Sequence, residues 1–207
     1  MMSKAKNVEE YIAMQQAAIS SNPECGTSHY NLAVALIGMK RYDEAEAELQ
    51  DAIACSPNLA EAYAQLGGIC LQRGDLEGCL SYNKQAIHSR AGFAEGYGNI
   101  GFVHLQMGNL DEAIHALEKA TRWNPNFIQA FVNLANAYLI EGKIEESIAA
   151  SLKALEINPD FAIAHNNLTI AYLERKDYEK AVEHCDRAAV LGYDVAPQIL
   201  EEIEKYR

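Results

Sequence analysis

The side chains best placed to do chemistry in this sequence are five carboxamides that recur at a fixed interval. They are spaced 34 residues apart, at Asn31, Gln65, Asn99, Asn133 and Asn167. A carboxamide offers two donors and two acceptor sites, so it can pair with both the N–H and the C=O of an extended peptide. Helix propensity does not explain the recurrence, because asparagine is a mediocre helix former. A ladder of these side chains predicts polypeptide binding, each hydrogen bond contributing about 0.5–1.5 kcal/mol.

No grouping of residues predicts catalysis or metal binding. The six histidines are His29, His88, His104, His115, His165 and His184. No two have the four-residue spacing that places two imidazoles on one helix face for a metal ion. The chain also has no Gly-rich phosphate loop after a strand and no G-x-S-x-G motif. We therefore expect a non-enzymatic protein with no catalytic residues, no cofactor and no metal ion.

Charge and composition restrict the class of partner and the compartment. The formal net charge is −12, from 17 basic and 29 acidic residues, which disfavours nucleic acid and anionic membranes and favours a neutral or basic polypeptide. The first ten residues lack the apolar core of a signal peptide, and no apolar run approaches the length of a membrane span. The five cysteines are odd in number and lack CxxC spacing, which suits a reducing compartment. A cytoplasmic location is expected.

The elements that would position the carboxamides are pairs of short amphipathic helices. In residues 94–127, apolar or small side chains recur with helical spacing in two stretches, at Tyr97, Ile100, Gly101 and His104 and at Ala113, Ile114, Leu117 and Ala120. Gly108 predicts the left-handed turn that ends the first helix. Asn124–Pro125 ends the second helix, because the residue before proline avoids helical geometry. Such a short hairpin needs copies of itself to bury its apolar face.

Five copies of this unit follow one another without an insertion. They are residues 26–59, 60–93, 94–127, 128–161 and 162–195, and each second helix carries an alanine at one register position, at Ala52, Ala86, Ala120, Ala154 and Ala188. With this period and two helices per unit, the chain resembles the tetratricopeptide repeat family over about 170 residues. The resemblance implies an all-α fold, a right-handed superhelix of helical hairpins.

The flanking segments are expected to cap the array. Residues 1–25 correspond to a half-repeat, with Asn7 and Glu10 as the start of its helix. Residues 196–207 correspond to a last helix that Asp194 opens, with an apolar stripe at Ile199, Leu200, Ile203 and Tyr206. Terminal units of repeat arrays need a polar outer face. The alternative is that the stripe docks a partner helix or a second copy.

The resemblance also implies where a ligand would bind, because in that family the first helix of each pair lines a concave groove. Groove positions include apolar residues at Val34, Phe102, Val132 and Ile170, hydrogen-bonding residues at Tyr30, Asn136 and Asn166, and carboxylates at Glu61, Glu95 and Glu174. The carboxylates favour a basic residue on the ligand. None of these groove positions carries Lys or Arg. The chain is therefore not expected to act like the chaperone-binding family members, which hold a peptide's terminal carboxylate with such cations. For the carboxamides, local packing is the alternative to ligand binding.

The second unit departs most from the repeat pattern. Cys70, Cys79 and Asn83 stand where the family usually has aromatic residues or alanine, and Gly67-Gly68 and Gly78 weaken the helices by up to about 1 kcal/mol each. These departures predict that the second unit is a soft joint, a unit of lower local stability than its neighbours. The alternative is neutral sequence drift at a position that tolerates it. Cys70 and Cys79 would form a redox clip across one hairpin, or serve as buried apolar side chains.

The function expected from these features is a non-catalytic scaffold or adaptor that binds a polypeptide segment in its groove through the carboxamide ladder. Two alternatives stay open. The first is a self-assembling protein, a homo-oligomer in which the N-terminal half-unit is donated to another copy. The second is a regulatory subunit of an enzyme complex.

Overall fold

The computed structural model describes residues 7–207, and every regular element in that range is an α-helix. A single helix, α1 (Val8–Ser21), comes first. The hairpins that follow pair α2 (Gly26–Gly38) with α3 (Tyr42–Cys55), α4 (Ala60–Gln72) with α5 (Leu76–Ser89), α6 (Ala94–Gln106) with α7 (Leu110–Trp123), α8 (Ile128–Glu141) with α9 (Ile144–Ile157), and α10 (Ala162–Glu174) with α11 (Tyr178–Val190). The last helix is α12 (Pro197–Glu204). The predicted all-α fold of repeated helical hairpins is confirmed.

The helices group into two compact units, residues 1–99 and residues 100–207. The boundary falls within α6. In the first unit α1 packs against α2, α2 against α3 and α4 against α5; in the second, α8 packs against α9 and α10 against α11. The prediction of one repeat domain over residues 26–195, with capping segments at 1–25 and 196–207, stays a prediction.

The core of the first unit forms between leucines of successive helices. Leu32, Leu49 and Leu66 are buried there, and Ile12 of α1 joins the same cluster, so α1 covers an apolar side of the first hairpin. The predicted helix start is confirmed, since the Asn7 side-chain oxygen accepts a hydrogen bond from the Glu10 backbone N–H at 2.8 Å. That bond satisfies one of the free amides of the first turn.

One buried cluster of the second unit lies between α9, α10, α11 and α12. Leu168 and Cys185 are fully buried in this cluster, together with Ile203 of α12. Ala181 and Ala188 of α11 are also fully buried. These small side chains allow the helices of the last hairpin to approach closely.

The turns inside the hairpins share a left-handed residue at one register position. Its φ angle is +77° at Gly74 and Gly108 and +79° at Gly142, whereas Lys40 and Lys176 adopt φ angles of +60° and +62°. The prediction for Gly108 is confirmed. Between hairpins, Asn124 precedes proline and is extended, with φ −130° and ψ 94°, so α7 ends at Trp123.

The last helix begins at Pro197, three residues later than the predicted start at Asp194. Ala196 is extended, with φ −56° and ψ 136°, because it precedes proline, and Pro197 then occupies the first helical turn, where no N–H is needed. The predicted stripe is only partly buried. Ile203 is fully buried, but Leu200 is exposed, and Tyr206 is exposed while its ring stacks on that of Tyr178.

None of the helices within residues 7–207 combines the length and the apolar character that crossing a membrane requires. The prediction that the N-terminus lacks a signal sequence concerns residues 1–10. Of these, residues 1–6 lie outside the described part of the chain.

Candidate peptide-binding surface

The first unit carries an apolar cavity of about 780 Å³ between α1 and α2. Its walls include Val8 and Tyr11 from α1, Tyr30, Asn31 and Val34 from α2, and Met39, which follows the last residue of α2. Val34 and Met39 are each 41% exposed, so the apolar wall is open to solvent. The structure therefore brings three predicted site residues, Tyr30, Asn31 and Val34, together at one cavity.

Sequence reasoning missed the contribution of α1 to this cavity. Val8 and Tyr11 line it, and Val8 is 50% exposed. Their three-residue spacing places them on one helix face. That spacing is the signal that α1 has an apolar surface besides the one that contacts the core through Ile12.

Two predicted carboxamides lie near this cavity. Asn31 is half-buried, and its side chain makes no hydrogen bond within residues 7–207. Gln65 of α4 is half-buried and lies near the side chain of Tyr30. Burial raises the pKa of Tyr30, and the nearby Glu61 carboxylate raises it further. Tyr30 therefore keeps its hydroxyl proton at neutral pH.

The third carboxamide of the series, Asn99, is engaged by its own chain. Its side-chain NH₂ donates a hydrogen bond to the side-chain oxygen of Asn83, at 3.0 Å. Asn83 is fully buried in α5. Asn99 is half-buried, so a ligand would compete with this internal bond.

The carboxamides of the second unit also have intramolecular partners. The Asn133 oxygen accepts a hydrogen bond from the Gln129 side chain at 3.1 Å. Asn167 is 5% exposed, and its NH₂ donates to the Val132 carbonyl oxygen at 3.1 Å. The burial of Asn167 argues against its predicted role as a ligand-binding carboxamide. Its side chain links two neighbouring first helices and has almost no surface for a ligand.

Other predicted groove residues of the second unit divide between core and surface. Val132 is 1% exposed and packs with Ala154 and Ala164, so it is a core residue and not a ligand pocket. Asn166 is also buried, and its side-chain oxygen has no hydrogen-bond partner among the described residues. The remaining positions keep some exposure: Phe102 and Ile170 are half-buried, and Asn136 is exposed.

The predicted carboxylates of the first unit differ in how far they are neutralised. Glu61 is half-buried and forms an ion pair with Arg90 at 2.5 Å. Glu95 is exposed and has no ion pair within the described residues. A basic ligand would therefore find Glu95 free and Glu61 already paired. The exposed ion pair of Glu61 with Arg90 itself contributes little stability.

Two histidines occupy the same register position in the first and fifth repeats. The Nε2 atom of His29 lies 3.0 Å from the Pro23 carbonyl oxygen, and its Nδ1 atom lies 2.7 Å from a Glu48 carboxylate oxygen. His165 repeats the contact through Nε2 to the Pro159 carbonyl oxygen at 3.0 Å, but its Nδ1 atom faces Nδ1 of His184 at 2.8 Å. Both histidines lie between helices, as expected for packing residues.

The cysteines of the second repeat are free thiols in a buried setting. Burial raises the pKa of Cys79 to about 11, and it raises the pKa of Cys70 as well. Thiol–disulfide exchange requires a thiolate, so these environments favour the apolar packing role over the redox clip.

Four family models match the chain. Three described as "Tetratricopeptide repeat" match residues 5–67, 94–127 and 116–149, and one described as "TPR repeat" matches residues 135–175. The chain belongs to the tetratricopeptide repeat (TPR) family. The TPR fold is consistent with a protein-interaction scaffold and implies a protein or peptide partner.

Similar proteins support the TPR assignment. The TPR repeat-containing thioredoxin TTL4 of Arabidopsis thaliana is 34% identical over 77 residues, which are 37% of this chain and 11% of that protein. The crystal structure of YrrB, described as a TPR protein with an unusual peptide-binding site, has a TM-score of 0.71 at 21% identity, covering 92% of this chain and 97% of that one. For PilF of Pseudomonas aeruginosa the TM-score is 0.83 at 18% identity, covering 97% and 90%. Both structures show likeness of fold alone.

Proposed function

We propose that this TPR protein is a non-catalytic scaffold or adaptor that binds an extended polypeptide segment at the cavity between α1 and α2. The observation that carries the proposal is an open apolar cavity with an unpartnered carboxamide, that of Asn31, in its wall. An apolar side chain of the ligand would enter between Tyr11, Tyr30 and Val34. The Asn31 side chain would then pair with the adjacent main-chain N–H and C=O.

Charge favours a ligand whose apolar anchor is flanked by Lys or Arg. The chain has a net charge of −12, and the exposed Glu95 carboxylate of the same unit has no ion pair within the described residues. Opposite charge on the ligand would speed association and disfavour acidic competitors. A neutral or basic peptide is therefore the proposed partner.

The proposed site uses one carboxamide, that of Asn31, in place of the predicted ladder of five. Asn167 is buried, and Asn99 and Asn133 have internal partners. Asn31, supported by the neighbouring Tyr30 and Gln65, is the position where a ligand would meet no competing bond. The likeness to YrrB, a TPR protein with an unusual peptide-binding site, supports the proposal by analogy of fold.

Peptide selection from a random displayed library on the full chain tests the proposal. Selected peptides should contain an apolar residue beside Lys or Arg. Asn31→Ala should weaken their binding by about 5- to 160-fold, the equivalent of two net hydrogen bonds. Val34→Asp should weaken it by at least about tenfold, because it buries an unpaired charge.

The matched control is Gln50→Ala, which removes an exposed carboxamide from α3 of the same unit and should leave binding unchanged. Equal binding by Asn31→Ala, Val34→Asp and the native chain would overturn the proposal. Two other occupants of the cavity are distinguished in the same assay. Peptide binding gained on removing residues 1–6 would indicate that this segment competes, and a dimer in light scattering lost with Val34→Asp would indicate a second copy.

A further inference from the structure

A histidine and two carboxylates converge between α2 and α3 in the first hairpin. The Nδ1 atom of His29 lies 2.7 Å from a Glu48 oxygen, and one ligand atom from each of His29, Glu48 and Asp51 lies within 4.8 Å of the other two. Glu48 and Asp51 are three residues apart on α3, so their side chains leave the same face of that helix. The cluster lies on a different side of α2 from Asn31 and Val34, since it faces α3.

The contacts of His29 prepare its Nδ1 atom as a ligand. The ring is held by the Pro23 carbonyl oxygen, which lies 3.0 Å from Nε2 and accepts the hydrogen on that atom. Nδ1 is then the atom directed at the carboxylates, and because a proton must lie between it and the Glu48 oxygen at 2.7 Å, a metal ion would replace that proton. Histidines that bind metal ions usually donate their other ring N–H to a carbonyl or carboxylate, which fixes the tautomer and the ring orientation. His29 is 7% exposed, so its position is set by packing.

The other repeats show that the fold does not require this combination of side chains. The corresponding triplets are Tyr63, Tyr82 and Gln85; Tyr97, Ala116 and Lys119; Phe131, Ala150 and Lys153; and His165, His184 and Arg187. The fifth repeat keeps the histidine and its carbonyl contact. It has the cation Arg187 where the first repeat has Asp51. Only the first repeat therefore presents three metal-binding side chains at this position.

We propose that His29, Glu48 and Asp51 bind one divalent first-row transition-metal ion. One imidazole and two carboxylates form a mixed nitrogen and oxygen donor set that zinc accepts, at about 2.0–2.2 Å from each ligand atom. The exposed Asp51 side chain is free to close the remaining distance. Three protein ligands leave at least one coordination position for water or for a group from a partner. The site is independent of the proposed peptide-binding cavity.

The ion would join the two helices of the first hairpin. Binding to the folded chain alone stabilises it in proportion to the logarithm of metal concentration over the dissociation constant. Zinc should therefore raise the unfolding temperature of the native chain. This stabilisation provides a readout that does not depend on any partner.

Zinc titration by calorimetry on the metal-free full chain, without an affinity tag, tests the proposal. One zinc ion per chain is expected, together with a rise in unfolding temperature. Glu48→Gln and Asp51→Asn should each weaken binding by at least about tenfold, because loss of a group that only supports a metal ligand already costs about that much. Asp51 is exposed, so Asp51→Asn retains the fold even if Glu48→Gln weakens the hairpin.

Asp43→Asn is the matched control. It removes one exposed carboxylate from the same helix and should leave both affinity and stoichiometry unchanged. Native zinc affinity in Asp51→Asn would overturn the proposal. An equal loss in Asp43→Asn would do so too, because it would indicate general attraction by acidic charge. Loss of the ion in His184→Gln would place it in the fifth repeat and would also overturn the assignment.

Discussion

The Asn99 side-chain NH₂ donates a hydrogen bond to the side-chain oxygen of Asn83, at 3.0 Å. Asn83 is fully buried, and its own NH₂ donates to the Cys79 carbonyl oxygen at 2.9 Å. The missing side chain of Gly67 provides the space, since a Cβ atom there would lie 2.3 Å from the Asn83 side-chain nitrogen. The unusual residues of the second repeat are therefore complementary to one another.

This complementarity predicts opposite effects of one substitution in two backgrounds. Gly67→Ala in the native chain should cost about 1–3 kcal/mol of unfolding free energy, because the new methyl group overpacks against Asn83. In an Asn83→Ala background the contact at 2.3 Å is gone, and the Cys79 carbonyl oxygen, 3.3 Å from the Cβ position, is the remaining close neighbour. There Gly67→Ala should stabilise by up to about 1 kcal/mol, the helix-propensity gain of alanine over glycine.

Urea denaturation of the native chain, the two single variants and the double variant measures this coupling. Gly68→Ala is the control, since a Cβ atom at Gly68 meets nothing within 4 Å, and it should stabilise both backgrounds equally. Additive effects of Gly67→Ala and Asn83→Ala would contradict the proposed contact.

The facing histidines of the fifth repeat predict acid sensitivity. Burial lowers the pKa of His184, and the adjacent His165 imidazole lowers it further, with Lys180 also lowering it and Glu183 raising it. The unfolded chain then binds a proton more readily than the folded chain. The contribution of His184 to stability is therefore present above the ordinary histidine pKa of about 6.5 and is lost as pH falls below it.

His184→Glu tests this prediction because it copies the pairing of His29 with Glu48. The urea midpoint should decrease less between pH 7 and pH 5 in His184→Glu than in the native chain. His115→Gln removes an exposed histidine of the same unit and should leave the pH dependence as it is. An equal fall in the native chain and His184→Glu would exclude the histidine pair as the cause.

Thiol environments predict the order in which the cysteines react. Cys25 precedes the first residue of α2, and the Ser28 hydroxyl donates to its sulfur at 3.2 Å. That hydrogen bond is the largest cause that lowers the pKa of Cys25, whereas burial raises the pKa of Cys79 to about 11. Iodoacetamide should therefore label Cys25 well before Cys79.

A time course read by peptide mass spectrometry measures the labelling. Ser28→Ala should slow the labelling of Cys25, because the thiolate loses its hydrogen bond. In denaturant the difference between Cys25 and Cys79 should vanish. Native labelling of Cys79 as fast as Cys25 would show that the second hairpin opens readily, as the predicted soft joint would.

The left-handed turn position predicts which substitutions improve stability. Lys176 holds a φ angle of +62°, where a side chain costs about 1–2 kcal/mol. Lys176→Gly should raise the unfolding free energy by up to about 1 kcal/mol, after the entropy cost of glycine. Gly142→Ala should lower it by about 1–2 kcal/mol, because alanine would have to adopt φ +79°. Urea midpoints report both, and a lower midpoint for Lys176→Gly would contradict the argument.

The repeated fold was predictable because its signals are local. The helical spacing of apolar residues, the proline after three of the five hairpins (Pro57, Pro125 and Pro159) and the Gly108 turn all act within one unit. The 34-residue period then shows that this unit repeats. The start of α12 was misplaced for a local reason as well. Asp194 is a good helix-capping residue, but Pro197 excludes helical geometry at Ala196.

The candidate site was less predictable because the environment of a carboxamide depends on another helix. The five carboxamides share one register position, but their partners differ. Asn99 meets Asn83 because the fully buried position that holds Leu49 in the first repeat holds Asn83 in the second. Asn167 reaches a backbone carbonyl of the preceding repeat, and no side-chain pattern encodes that contact.

Two of these carboxamides predict a clean separation of structural and binding roles. Asn167→Ala should cost about 1–3 kcal/mol of unfolding free energy, because the buried Val132 carbonyl loses its side-chain donor and a small void remains. Asn31→Ala should change stability by less than about 0.5 kcal/mol, since its side chain is half-buried without a hydrogen bond to residues 7–207. Denaturation should therefore show the larger loss of stability in Asn167→Ala, and peptide titration the larger loss of affinity in Asn31→Ala. If Asn167→Ala instead lost peptide binding at native stability, the ladder would bind the ligand despite the burial of Asn167.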